Sequence, residues 1–180
     1  EPVNRNTVSS IRSGEGRSGS GKEVGFKTFL HSAGRLSTTS SHEGFDLGTI
    51  FTKIINGEIP GTFVYEDDEC VAFLDVSPLT DGHTMVVPRA EISQWTDLDE
   101  GLLDHLMNVA RRIGRAQKEA FDCERIGLMI VGYEVPHVHI HVWPTTSMAD
   151  FDISDRAPMQ DAETLAGPAE KIRQALAQQS

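Results

Sequence analysis

Cysteine is scarce: the 180 residues hold only Cys70 and Cys123, far apart and without a Cys-x-x-Cys pair. That excludes a disulfide framework or a zinc knuckle and leaves two ordinary reduced thiols. Long apolar runs are missing too. No stretch approaches the roughly 18 residues of a membrane span. The first 49 residues lack a secretory hydrophobic core, so the expected location is the cytoplasm. Positive charge is in short supply. The formal net charge is −11, and residues 1–49 carry six basic and five acidic residues, which leaves a net of −12 on residues 50–180. An acidic domain is a poor partner for a nucleic acid backbone or an anionic membrane, so neither is expected. A phosphate ester would have to be held by local donors against this field. No internal repeat is visible.

Residues 1–48 are rich in Ser, Gly, Thr and Arg, as in Ser13-Gly14-Glu15-Gly16-Arg17-Ser18-Gly19-Ser20-Gly21. Such a composition buries too little apolar area to offset chain entropy and predicts a disordered extension. The absence of an initiating Met points to processing or to an engineered fragment. Residues 49–180 are expected to form one domain, with a core at 50–146 and a tail and helix at 147–180.

Within that domain, residues 50–55 predict a short helix stopped by Asn56-Gly57 and Pro60. Residues 62–65 and 70–75 predict two strands joined by the acidic turn Glu66-Asp67-Asp68-Glu69, and residues 83–88 a third strand. Leu102, Leu103, Leu106, Val109, Ala110, Ile113 and Ala116 lie at helical spacing and predict a long helix over 101–121. Strands at 126–131 and 137–143 complete the set. A C-terminal helix over 162–177 is expected to be interrupted near Gly167-Pro168. Short connections between successive strands, with one long helix before the last pair, imply an α+β fold with an antiparallel five-stranded sheet.

What the chain does have is a histidine run: Glu134-Val135-Pro136-His137-Val138-His139-Ile140-His141-Val142-Trp143-Pro144. Period-two alternation predicts a strand with Val138, Ile140 and Val142 on the core face and three imidazoles on the other. Same-face neighbours lie roughly 6.6 Å apart along a strand, which puts the Cα atoms of His137 and His141 about 13 Å apart. One metal could take an adjacent pair but all three only with strain, whereas catalytic zinc wants three convergent ligands. The more natural division is a central histidine that meets the substrate, flanked by two that place or protonate parts of it.

These residues resemble the histidine triad (HIT) family of nucleotide-binding proteins. Two further segments carry the likeness, Ile50-Phe51-Thr52-Lys53-Ile54-Ile55-Asn56-Gly57-Glu58-Ile59-Pro60 and Ala72-Phe73-Leu74-Asp75-Val76-Ser77-Pro78, the latter running on to Gly82-His83-Thr84-Met85-Val86-Val87-Pro88. The three matches fall in order across residues 50–146.

The resemblance implies hydrolysis or transfer at the α-phosphorus of a purine nucleoside phosphate derivative. His139 would be the nucleophile, with its other nitrogen fixed by a main-chain carbonyl of the same strand. His141 would contact the phosphate or leaving-group oxygen, and His137 and His83 would complete the catalytic cluster. Asp75 would hold the ribose; its alternative role is turn formation before Ser77-Pro78. Ile50, Phe51, Ile54, Phe73, Leu74 and Val76 would line the base and ribose slot, and each could equally be plain core. Neither a cofactor nor a metal is expected. The resemblance also implies a homodimer joined through the long helix and an edge strand; Leu102, Leu106 and Val109 could serve it or face the core. His31, His42 and His105 have no expected partners.

The chain departs from the family before the triad. Family members often carry Asn-x-Gly and Gly-Gln-Ser/Thr stretches that donate to phosphate. Here Ile130-Val131-Gly132-Tyr133-Glu134-Val135-Pro136 is shorter, and Glu134 stands where a donor is common. A carboxylate beside a phosphate repels it unless it is protonated, binds a metal or faces a cationic leaving group. The leaving group therefore stays open between an amine, a second nucleotide and something else. Two alternatives to the enzyme remain: a nucleotide-binding partner or sensor protein with negligible catalysis, and a metal-dependent enzyme using His83 and two triad members.

Overall fold

The computed structural model describes residues 48–179. Residues 1–47, which carry nearly all of the expected disordered extension together with His31 and His42, lie outside the described residues, as does residue 180. Among the described residues, no helix is long and apolar enough to cross a membrane.

Helix α1 (Ile50–Ile55) starts where the Thr49 hydroxyl accepts the Thr52 N–H. It stops at Asn56 and Gly57, and the φ of +78° at Gly57 is a conformation that glycine takes without strain. Strands β1 (Phe63–Glu66), β2 (Cys70–Leu74) and β3 (Thr84–Pro88) follow, then α2 (Glu100–Ala120), β4 (Arg125–Ile130), β5 (Ile140–Thr145) and α3 (Ala162–Ala177). All strands pair antiparallel in one sheet of order β1-β2-β3-β5-β4. This is the expected α+β architecture, with the long helix where its apolar spacing placed it.

Strand parity divides the molecule into two faces. Ala72, Leu74, Val86, Ile140 and Val142 pack with Leu106, Val109 and Ile113 of α2 and with Leu165, Ala169 and Ile172 of α3. Val71, Phe73, Met85 and Val87 point the other way, toward Phe51, Ile54 and Ile55 of α1. The odd-numbered face is therefore left for a site, while α2 and α3 cover the opposite one. Leu106 and Val109 are buried in this chain's own core. They belong to the core face of α2, so a second copy would have to meet other residues.

Two expectations about chain paths need correction. The last strand begins at Ile140, not at His137. In the β3–β5 register, where Val86 faces Ile140, the next pairs would bring Pro88 opposite Val138. Pro88 has no N–H to give the ladder, so pairing ends there and the Val138 N–H instead reaches the Ile92 carbonyl at 2.7 Å. Residues 137–139 thus run beside the sheet, and the Pro88 carbonyl is free for a side chain.

Helix α3 is continuous through Gly167 and Pro168. Proline in a helix interior costs about 3 kcal/mol through its lost hydrogen bond and its ring. Burial of Leu165, Ala169, Ile172 and Leu176 in the main core offsets it.

One glycine is required by close packing. Gly127 of β4 lies opposite Trp143 of β5, and a Cβ there would sit 2.7 Å from the indole Cε2. Trp143 is fully buried, donates from Nε1 to the Asp150 carbonyl at 2.9 Å, and stacks edge-on against Phe151. The indole thereby ties the segment after β5 to the sheet.

Candidate active site

A cavity of about 400 Å³ opens on the odd-numbered face. Ile50, Phe51 and Ile54 of α1 form one wall, and Phe73, Leu74, Asp75 and Val76, at the end of β2 and just after it, form another. Glu134, His139 and His141 also line it. All eight residues expected to bind substrate (Asp75, Ile50, Phe51, Ile54, Phe73, Leu74, Val76 and Glu134) line this space. Of the four expected catalytic histidines, only His139 and His141 do.

His137 lies behind the Phe51 ring, at 6.0 Å between centroids, and His83 lies behind His141, at 5.1 Å. Both are at most 1% exposed. Strict alternation on a flat strand put three imidazoles on one open face. The early end of β5 pairing and the cover of α1 leave two of them at the cavity.

The hydrogen bonds fix which nitrogen carries a proton on each ring. A carbonyl only accepts, so His139 Nδ1, 2.7 Å from its neighbour's carbonyl at His137, must be the protonated nitrogen. Its Nε2 then keeps a bare lone pair. Burial is the main cause that holds the His139 pKa below its ordinary value, which keeps the ring neutral.

His141 has the opposite polarity, set by a relay. The Leu79 N–H donates to His83 Nδ1 at 3.1 Å, so His83 carries its proton on Nε2 and donates to His141 Nδ1 at 3.0 Å. His141 must then carry its own proton on Nε2. Burial, reinforced by neighbouring positive charge, lowers both rings to about 3. The Asp75 carboxylate lies 3.8 Å from His83 Nδ1, but that nitrogen is already accepting from Leu79 and His83 is uncharged, so the contact is not an ion pair. Two adjacent imidazoles, 4.8 Å between centroids, therefore offer complementary tautomers, one with a free Nε2 lone pair and one with an Nε2–H.

His137 is held by a second network that the sequence did not suggest. Its Nε2 donates to the Pro88 carbonyl at 2.8 Å, and its Nδ1 meets the Thr49 hydroxyl at 2.9 Å. Thr49 accepts from the Thr52 N–H, while the Thr52 hydroxyl and the Thr49 N–H both donate to the Glu91 carboxylate. These bonds hold the residue whose carbonyl orients His139.

Asp75 is buried, and burial raises its carboxyl pKa. The hydrogen bond from the Ser77 N–H, at 2.9 Å, and the Arg156 charge pull the other way. Its turn role and its place in the cavity wall coexist, because one oxygen closes the turn.

Among the described residues, two clusters of side chains come close enough to suggest a metal, Asp75 with His83 and His141, and Asp67 with Cys70 and His105. In the first, the Nδ1 lone pairs of His83 and His141 are already committed. In the second, Asp67 accepts from Tyr65, His105 and the Glu69 and Cys70 N–H groups. Burial pushes the Cys70 thiol up to about 12. His105, for which no partner was expected, is in fact bonded to Asp67 at 2.7 Å.

Glu134 does not confront the cavity alone. Its carboxylate pairs with Arg156 at 3.3 Å. Arg156, Gln160 and Leu165 join the cavity wall from the segment that follows β5 and from the start of α3. The sequence carried no signal for this return of the chain, since the contacts span more than 20 positions.

The HIT domain family profile matches residues 56–148. The chain is 40% identical over 99 residues to an uncharacterized HIT-like protein of Methanocaldococcus jannaschii, covering 53% of this chain and 77% of that protein. It is 34% identical over 118 residues to adenosine 5′-monophosphoramidase HNT1 of Saccharomyces cerevisiae, covering 64% of this chain and 75% of that enzyme. A HIT-like protein involved in cell-cycle regulation from Bartonella henselae shares the fold with a TM-score of 0.63 at 32% identity, over 73% of this chain and 98% of that one.

Proposed function

The chain belongs to the HIT domain family, and on that premise we propose that it hydrolyses or transfers nucleotidyl groups. The bond attacked is at the α-phosphorus of purine nucleoside phosphoramidates or dinucleoside polyphosphates. The observation that carries this reading is the pair of complementary tautomers, a free Nε2 on His139 beside an Nε2–H on His141.

In the first step His139 Nε2 attacks phosphorus, a P–N bond forms and the bond to the leaving group breaks; a phosphate leaves as its anion, and an amine leaves with a proton taken from water, which the hydrolysing water returns to solvent in the second step. His141 Nε2–H stabilises a phosphate or leaving-group oxygen. Positive charge gained by His139 is relieved toward the His137 carbonyl through Nδ1–H. Water then cleaves the P–N bond and restores neutral His139. His137 and His83 act as positioning residues through the rings and carbonyl they hold. Asp75 accepts from ribose hydroxyls, and Phe51, Ile54 and Phe73 enclose the base.

Phosphorus NMR of the full chain with an adenosine phosphoramidate and a diadenosine polyphosphate tests the reading. We expect the nucleoside monophosphate and a free leaving group from the wild type, and no turnover from His139→Asn, with purine mononucleotide binding retained by calorimetry. Undiminished turnover in His139→Asn contradicts the reading. Wild-type binding without turnover on any substrate favours a sensor protein instead.

The same reading includes a homodimer and a cytoplasmic location. The dimer is supported by β4, an edge strand with Leu128 44% exposed. Light scattering that returns a monomer mass at micromolar concentration contradicts it. The location is supported by two free cysteines, and fractionation that places the chain outside the cytoplasm contradicts it.

A further inference from the structure

We propose that Arg156 selects the leaving group, binding a phosphate on the far side of the reacting phosphorus. This inference rests on the nucleotidyl-transfer reading of the same site. A second cavity of about 100 Å³ adjoins the larger one, and the two share His139, His141, Glu134 and Arg156. The larger cavity alone contains Phe51, Phe73 and Asp75, which suit a nucleoside. Phosphorus must sit within reach of His139 Nε2 at the junction, so the leaving group points into the smaller cavity, between Gly132, Tyr133 and Ile153.

The donor inventory at that junction favours an anion. A guanidinium has five N–H bonds and no acceptor. One terminal nitrogen of Arg156 is used by Glu134, while its Nε is buried and has no hydrogen-bond partner among the described residues. The guanidinium is partly exposed, and Nη2, which Glu134 does not use, is the donor that can meet a phosphate oxygen in a charge-assisted bond. An amine leaving group has no oxygen to offer it.

Glu134, with its side chain 78% exposed, holds the guanidinium from the solvent side. Its charge is matched by the arginine rather than turned on the substrate. This answers the carboxylate that stands where family members place donors.

Arg156 is not on a loose tail. The Ala157 N–H donates to the Pro78 carbonyl at 2.9 Å and the Gln160 N–H to the Val76 carbonyl at 2.7 Å, which docks the segment on the loop that carries Asp75. Upstream, the Trp143–Asp150 bond and the Trp143–Phe151 contact anchor it to β5.

The test compares two substrates with the same nucleoside and the same α-phosphorus, adenosine 5′-phosphoramidate and diadenosine triphosphate. Arg156→Ala should lower kcat/KM on the triphosphate by on the order of 30-fold and on the phosphoramidate by less than about threefold. Arg156→Lys, which keeps the charge but not the fork, should recover part of the loss on the triphosphate. An equal loss on both substrates, or no loss on the triphosphate, overturns the proposal.

Calorimetry with AMP and ADP on the full chain separates this proposal from the reading beneath it. A wild-type preference for ADP that disappears in Arg156→Ala supports the phosphate site even if no substrate turns over. A preference that is absent in the wild type, or that persists in the variant, overturns it.

Discussion

Acidification should destabilise this fold well before its carboxylates protonate, because the His83–His141 relay is built from neutral rings. Both folded values, about 3, lie below the ordinary 6.5. The unfolded chain therefore takes up protons first. The stability contributed is fully present above about pH 6.5 and is lost as pH falls toward 3. Linkage gives each ring a loss of about 1 kcal/mol between pH 7 and 5.5, or about 2–3 kcal/mol for the two. His139 is shifted in the same direction and adds to the loss. Asp75, raised by burial, opposes it only near the carboxylate range, and Asp67 adds to it only at still lower pH. With a urea m-value of about 1–3 kcal/mol per molar, the unfolding midpoint should fall by roughly 1–3 M. Replacing His83 with Gln removes one of the two rings and should nearly halve the slope against pH. A midpoint that stays flat from pH 7 to 5.5, or a slope unchanged in His83→Gln, refutes the neutral relay.

Three further outcomes follow from single contacts. Thr49→Val removes the hydroxyl on His137 Nδ1 and the cap of α1, and should cost about 1–3 kcal/mol in urea unfolding together with a lower kcat; wild-type values for both would contradict the positioning network. Gly127→Ala drives a methyl against the Trp143 ring and should destabilise by about 1–3 kcal/mol, visible as a blunted near-UV tryptophan signal and a lower Tm; an unchanged Tm would show that the indole can move aside. Asp75→Asn should erode the preference for ribose over 2′-deoxyribose nucleotides in a competition assay, and an intact preference would return Asp75 to a purely turn-forming role.

Much of this was legible in the sequence for identifiable reasons. Period-two alternation in the strands and the spacing from Leu102 to Ala116 report burial directly, so the sheet and the long helix fell where the pattern put them. The cavity residues around Asp75 were legible because they lie in contiguous motifs. Three features were not legible. The missing N–H of Pro88 ends the ladder only once the β3–β5 register is known, so His137 could not be placed off the strand. Pro168 reads as a break until the tertiary burial of its neighbours is seen. Arg156 and Glu91 act across long sequence separations through hydrogen bonds that no local pattern encodes.

His139 Nε2, left without a proton by the Nδ1 bond, is the atom proposed to take the nucleotidyl group. The direct measurement mixes the full chain with adenosine 5′-phosphoramidate, quenches in alkali within the first turnover, and maps the adduct by peptide mass spectrometry. An adenylyl group on the peptide containing His139, lost in His139→Asn, is the predicted result. Turnover that proceeds with the adduct on another residue, or with none formed in the burst phase, contradicts the account.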